Sequence, residues 1–243
     1  MVQLLTNTSA MACKSWSLPA GPVSALGSCA GYDGRPGRTC SFCYALQGQY
    51  RFNNVQKAQQ ERLRLWREHG PSLLEVELSQ CAGYFRVFDS GDFSDPTDVI
   101  AWHTLATWNS QIRFWVVSRC WRLMLVGDQK KRDAWMTTFI RLAGLDNVCL
   151  RFSFDERDRK SAEKARELVP GSTLAVVGEG IEYACPKQAH PDGTLKHREE
   201  ANCLAAGCRA CWDKTNVEQR FMLHGQKKPV DIGWTKTKRE AMK

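Results

Sequence analysis

The chain has 243 residues, 43% of them hydrophobic and 25% charged, with a net charge of +8. That length can bury a full core without staples, and the composition is that of a globular protein rather than a disordered or fibrous one. No stretch approaches the ~18 consecutive apolar residues of a membrane-spanning helix, so no membrane role is expected.

The start, MVQLLTNTSAMAC, lacks a basic end followed by an apolar run, so it does not read as a secretory signal and a reducing cytoplasm is the expected compartment. KSWSLPA (14–20) reads as a short extended piece, followed by a loop rich in cysteine, glycine and arginine. Residues 53–70 read as a helix with Val55, Ala58, Leu65 and Trp66 on one face and Gly70-Pro71 as its stop. SLLEVELSQCAG adds a shorter helix. YFRVFDSGDF (84–93) is a strand that ends in small and acidic residues. Asp95 can then cap a helix over 97–109, with Pro96 in its first turn and Asp98 near its positive end. IRFWVVSRCW (112–121) reads as a strand buried on both faces. A helix over 130–143 stopped by Gly144, a strand over 148–154, a helix over 161–169 and a strand over 173–180 follow.

The order β-α-β-α-β-α-β-α-β predicts an α/β fold, a partial (β/α) barrel of about five or six parallel strands with right-handed crossovers. Sites in such folds lie at the C-terminal ends of the strands. Those ends hold Asp89, Ser90, Gly91 and Asp92, then Ser118 and Arg119, then Asp155-Glu156, then Gly178-Glu179-Gly180. The cysteine loop follows the first strand and is expected on the same rim. Polar residues also end strands simply because the chain leaves the core there; the convergence of four ends and the cysteine loop is what favours a site. Residues 1–181 form the expected barrel. Residues 182–243 form an expected cysteine-rich metal-binding module with a basic tail.

Eleven cysteines in a chain with no secretory signal favour metal over disulfides. Seven fall in two clusters: Cys29, Cys40 and Cys43 in front, and Cys185, Cys203, Cys208 and Cys211 behind. Cys13, Cys81, Cys120 and Cys149 are scattered and read as buried structural thiols. The front set, C-x10-C-x2-C followed by Tyr44, has three thiols and no regularly placed fourth, whereas structural zinc takes four ligands. Three thiolates can hold a 4Fe–4S cluster and leave one iron open. Radical S-adenosylmethionine enzymes use such an arrangement, usually as C-x3-C-x2-C, with the open iron binding the cofactor's amino and carboxylate groups. Gly31, Gly34 and Gly37 would let the longer loop fold back. The rear set, C-x17-C-x4-C-x2-C, can close on zinc or on a second 4Fe–4S cluster, and His190 and His197 lie within its span.

Taken together, SWSLPAG…SC…TCSFCYA, FDSGDFSDP…AW, RFWVVSR.W and CP…C….C..CW resemble the phage and plasmid family called gene product eighty-eight, from about Ser15 to Trp212. That family is in turn similar to radical-SAM-like proteins with a lengthened first cysteine gap. The resemblance implies Cys29, Cys40 and Cys43 as cluster ligands and Tyr44 beside the cofactor adenine. The segment from Asp89 to Asp92 stands where such barrels bind the methionine amine. A reductant such as flavodoxin or ferredoxin is then expected, and the host cytoplasm as the compartment of a phage-encoded chain. Asp92, Arg119 and Asp155 are the rim candidates for catalysis. Asp89, Ser90, Gly91, Asp92 and Ser118 are those for cofactor binding.

Half of the net charge lies in residues 212–243, with eight Lys or Arg against four Asp or Glu, which favours an anionic substrate or partner such as a nucleotide or nucleic acid. Trp102, Trp108, Trp115 and Trp135 read as core. Trp212 and Trp234 either stack on bases or pack against the metal module. His69, His103 and His224 read as structural or surface residues. The alternative function is a nucleic-acid-binding or phosphodiester-cleaving protein in which both cysteine sets are structural metal sites. Asp89, Asp92, Asp95 and Asp155 would then hold Mg²⁺.

Overall fold

A computed structural model describes residues 2–8, 11–36, 38–178, 181–183, 185–186, 190, 192, 194, 203 and 206–222. Gly37, Glu179, Gly180, His197, His224, Trp234 and the basic tail from 223 onward lie outside the described residues.

Among the described residues, seven strands form one sheet in chain order: β1 (Thr6–Thr8), β2 (Cys13–Ser17), β3 (Gly83–Ser90), β4 (Ile112–Ser118), β5 (Val148–Asp155), β6 (Thr173–Gly178) and β7 (Glu218–Met222). β1 runs antiparallel to β2, and every later pairing is parallel. The α/β class and the parallel sheet are as expected from the sequence. Among the described residues no ladder joins β1 to β7. The sheet is nevertheless curved. Trp115 on β4 and Phe221 on β7 stack with ring centroids 5.9 Å apart, although three strand spacings of ~4.8 Å separate their strands.

Helices α1 (Asn53–His69), α2 (Glu75–Ser79), α3 (Pro96–Trp108), α4 (Gln129–Ala143) and α5 (Arg159–Leu168) fill the crossovers from β2 to β6. They cover the convex face. Alternate strand residues point at them, so Trp16, Phe85, Phe114, Leu150, Phe152 and Val176 join one core with Trp66, Trp102, Leu105 and Phe139. Asp98 ties this layer together: it takes the Trp66 indole N–H at 2.7 Å and the Ser94 N–H at 2.7 Å. The opposite alternation, with Arg86, Trp115, Val117, Ser153, Ala175 and Val177, faces a cavity.

Several expectations change. β4 stops at Ser118, and Cys120–Met124 is a 3-10 turn rather than strand; β4 also leaves Arg113 exposed, and it is β5 that is buried along its whole length. Trp108 is 57% exposed, because six residues past Trp102 turns the helix about 120° away from its buried stripe. The buried stripe of α1 runs through Gln59, Arg62, Leu63 and Trp66. β7 lies inside the segment read as an appended module and tail, so that segment returns to the sheet and supplies its last strand.

Asp95 caps α3, accepting the Thr97 N–H at 2.6 Å. The variant Asp95→Ala is expected to lose about 1 kcal/mol of stability in urea unfolding, with the rest of the fold unchanged by circular dichroism.

Candidate metal centre and substrate cavity

The front cysteine loop is held by main-chain bonds within itself and to the end of β3 and the residues just after it. Leu18 N–H donates to Ser90 O at 2.9 Å, Cys29 N–H to Gly21 O at 2.9 Å, and Ala30 N–H to Phe93 O at 2.9 Å. Two glycines allow this closeness. A Cβ on Gly31 would lie 2.5 Å from the Arg119 carbonyl oxygen. Gly91, at φ +85°, would put one 2.5 Å from the Ser28 hydroxyl. The end of β3 is itself bulged: Trp16 pairs with Val87 but Ser17 with Ser90, leaving Phe88 and Asp89 as extra residues. Phe88 adopts φ +65°, a costly conformation for a bulky residue of the kind that clusters at functional sites.

The second half of the loop is held by charge. Asp33 pairs with Arg35 and with Arg122, each at 2.7 Å. Arg38 pairs with Asp158 at 2.9 Å. Asp155 accepts from both the N–H and the hydroxyl of Thr39, at 3.2 and 2.9 Å. Thr39 opens the 3-10 turn Thr39–Phe42 that carries Cys40 and leads to Cys43. Burial raises all three front thiols. Cys29 rises well above its ordinary value, with further repulsion from Asp92, Cys43 and Cys40. Cys43 is pushed up to about 12, first by burial and next by Cys40. Burial also raises Cys40, against the pull of the Arg119 charge. Repulsion from Cys40 thus contributes to the rise at both Cys29 and Cys43, and a bound cation would reverse it by stabilising the thiolates.

The rear cysteines reach the same place from the other side. Arg151, fully buried in the middle of β5, spends all five of its N–H donors on carbonyls. Nε bonds Cys211 O, Nη1 bonds Leu174 O and Asn216 O, and Nη2 bonds Ala210 O and Asp213 O, at 2.7 to 3.3 Å. Trp212 is buried and donates its indole N–H to Phe85 O at 3.1 Å, while packing on Tyr84 and Trp115. It therefore packs and does not present a face to bases. Burial pushes the Cys211 thiol up to about 12, with Cys203, Cys185 and Cys208 adding to the rise.

All seven clustered cysteines line one cavity of about 420 Å³. Among the described residues, no three Cys, His, Asp or Glu side chains close on a single metal ion. A tetrahedral zinc would draw its sulfurs to within about 3.8 Å of one another. Cys120 and Cys149 are buried and Cys13 and Cys81 half-buried, and none of the four lines the cavity, although Cys13 packs against the cluster that holds Cys203, Cys211 and Trp115.

Tyr44, Asp89, Ser90, Gly91, Asp92 and Arg119 also line the cavity. The Tyr44 hydroxyl donates to Asp89 O and accepts from Arg86 Nη2 at 2.8 Å. The Asp89 carboxylate is taken by Arg86 and Tyr50, each at 2.6 Å. Asp92 accepts the N–H of Phe93 at 2.8 Å and of Arg119 at 2.7 Å. Burial raises its carboxyl to about 6 against these bonds. Ser118 lies beneath the lining, where its hydroxyl accepts the Cys120 N–H at 3.0 Å. Asp155 also lies off the cavity and acts on it through Thr39; Glu156 is turned to Arg159. Arg86, Trp115 and Arg151 went unread as site residues. Their signal was a single arginine or tryptophan inside the apolar runs YFRVF, RFWVV and CLRFSF, at the alternation that faces the cavity.

Among the described residues, six of the nine buried side-chain polar atoms without a partner belong to this lining: Tyr32 Oη, Arg86 Nε, Ser90 Oγ, Trp115 Nε1, and Arg119 Nε and Nη1. Native proteins leave few such atoms unsatisfied, so their concentration around one cavity points to a ligand.

Two variants test how the cysteine sets are held. Burial raises the Asp155 carboxyl, but the Thr39 hydrogen bonds and the Arg119 charge outweigh it and leave the group below its ordinary value of 3.8. Its contribution to stability is therefore complete above that value and lost as pH falls below it. Wild type should lose stability more steeply than Asp155→Asn between about pH 5 and 3 in urea titrations. Arg151→Met leaves five carbonyls without their donor. It should cost about 3–5 kcal/mol and speed thiol-reagent labelling of Cys208 and Cys211, but not of Cys40 and Cys43.

Comparison with curated proteins and with solved structures returns no match. A family model described as Gene product 88 matches residues 3–214, which spans both cysteine sets and runs from before β1 into the Arg151-bound turn. The chain belongs to the Gene product 88 family.

Proposed function

We propose that this chain is an iron–sulfur enzyme of the radical S-adenosylmethionine type. The observation that carries the proposal is the shared cavity, in which three thiols of one loop stand with buried, unpartnered donors at the C-terminal ends of parallel strands. The donor set suits the group: Cys29, Cys40 and Cys43 would hold a 4Fe–4S cluster and leave one iron without a protein ligand. When bound and reduced, the cluster and S-adenosylmethionine together supply a carbon radical that removes a hydrogen atom from substrate. The protein's own residues position and seal. The free Ser90 hydroxyl and Arg119 N–H groups suit the amino-acid end of the cofactor, and the Tyr44 ring lies beside the cluster loop for its adenine. The curved parallel sheet supports the partial-barrel reading. The rear cysteines would hold a second 4Fe–4S cluster or zinc, facing the same chamber. A flavodoxin- or ferredoxin-type reductant is required, and a nucleotide or nucleic acid is the substrate class that the net charge favours.

The Mg²⁺ reading asks for carboxylates that share an ion. Here Asp155 is engaged by Thr39, Asp92 by two main-chain N–H groups, Asp89 by Arg86 and Tyr50, and Asp95 by its own helix start. The four acidic groups are thus each committed elsewhere.

Anaerobic purification tests the proposal. The expected result is a brown protein with about four irons per cluster that cleaves S-adenosylmethionine after reduction. Cys40→Ala should lose the front iron and the cleavage while keeping the rear metal. A colourless protein with about two zincs, or cleavage that survives in Cys40→Ala, would refute it.

A further inference from the structure

Between the two cysteine sets, the cavity floor is the concave face of β3 and β4, where Arg86 and Trp115 are direct cross-strand partners. The Arg86 guanidinium lies 5.0 Å from the centre of the Trp115 ring, which also stacks on Phe221. With its ring engaged in this way, the indole offers its N–H. That nitrogen is buried without a partner in a side chain only 4% exposed. Arg86 is in the same position. Its Nη1 serves Asp89 and Met11, its Nη2 serves Tyr44, and its Nε is buried and unpartnered. Nearby acceptors are already engaged with other donors: Gln219 Oε1 takes the Asn216 amide at 2.9 Å, and Asp89 is held by Arg86 and Tyr50. The floor thus offers two neighbouring donors and asks for an acceptor from outside the protein.

The charge balance selects the kind of acceptor. Arg86 already faces the Asp89 carboxylate at 2.6 Å. A second carboxylate there would be buried without a counter-charge, which costs far more than burying a hydrogen-bonded neutral group. The walls beside the pair, Val117, Val177, Ala175 and Phe221, are apolar. We propose that Arg86 Nε and Trp115 Nε1 form a substrate subsite that binds a neutral amide-type carbonyl oxygen carried on an apolar group. This names the substrate chemistry of the proposed enzyme and rests on reading the cavity as its substrate chamber. It does not depend on which metal the cysteines hold.

Equilibrium dialysis of the full chain against benzamide and against benzoate, without S-adenosylmethionine, tests the subsite. The two probes share a shape and differ in charge. Benzamide should bind at least tenfold more tightly than benzoate. Arg86→Lys keeps a cation beside Asp89 and deletes Nε, and Trp115→Phe keeps a ring and deletes the N–H. Each should weaken benzamide about tenfold, the effect of one lost hydrogen bond, with circular dichroism unchanged. Tighter binding of benzoate, no binding of benzamide, or unchanged benzamide affinity in both folded variants would overturn the proposal. Because the probes involve neither iron nor reductant, a failure here is distinct from a failure to cleave S-adenosylmethionine.

Discussion

A guanidinium buried among carbonyls sets the geometry of this protein. Arg151 stands in the middle of β5 with no exposed surface, and its five N–H groups end on the main chain of residues 174, 210, 211, 213 and 216. Burying such a charge is costly unless every donor is used, and here every donor is used. The bonds to residues 210–216 draw the segment bearing Cys208 and Cys211 onto the concave face and hand the chain on to β7. The Trp212 bond to Phe85 adds to them in fixing the rear cysteines relative to the front ones. With them, both sets look into one chamber.

The front loop depends on a different device. Its first half is closed by main-chain hydrogen bonds, with approaches at Gly27, Gly31 and Gly91 too close for a Cβ. Its second half is held by alternating charge, with Asp33, Asp155 and Asp158 facing Arg38, Arg119 and Arg122. Arg35 and Arg157 join the same network, at Asp33 and Asp155, so three partly buried acids shared among five arginines cross-brace the loop and stiffen it. Stiffness matters because three neighbouring thiols repel one another once ionised, and the loop must hold them in place. The strained Phe88 and the bulge at Asp89 belong to the same rim, so the backbone departs from regular geometry where the proposed cofactor would lie.

Much of this was legible in the sequence. The alternating pattern produced the parallel sheet, Asp95 capped its helix as its position demanded, and the cysteine spacing marked the two clusters that meet in the cavity. What escaped reading had physical causes. EQRFM carries three polar residues in five and looked like part of a basic tail, because an edge strand needs little apolar signal. Asp155 looked like a rim acid because it ends a strand, but only the fold shows it turned to Thr39. Trp108 sat in an apolar helix whose stripe passes it by. Arg86 and Arg151 were hidden because an arginine within an apolar run reads as noise until strand alternation assigns it to the inner face.

In the proposed function, Cys29, Cys40 and Cys43 would hold an iron–sulfur cluster with one iron open to S-adenosylmethionine. The most direct measurement is the electron paramagnetic resonance spectrum of the reduced, anaerobically prepared protein, recorded before and after the cofactor is added. The cluster signal should change shape on addition, and this response should be absent in Cys40→Ala. A spectrum that the cofactor leaves unchanged in the wild-type protein would contradict it.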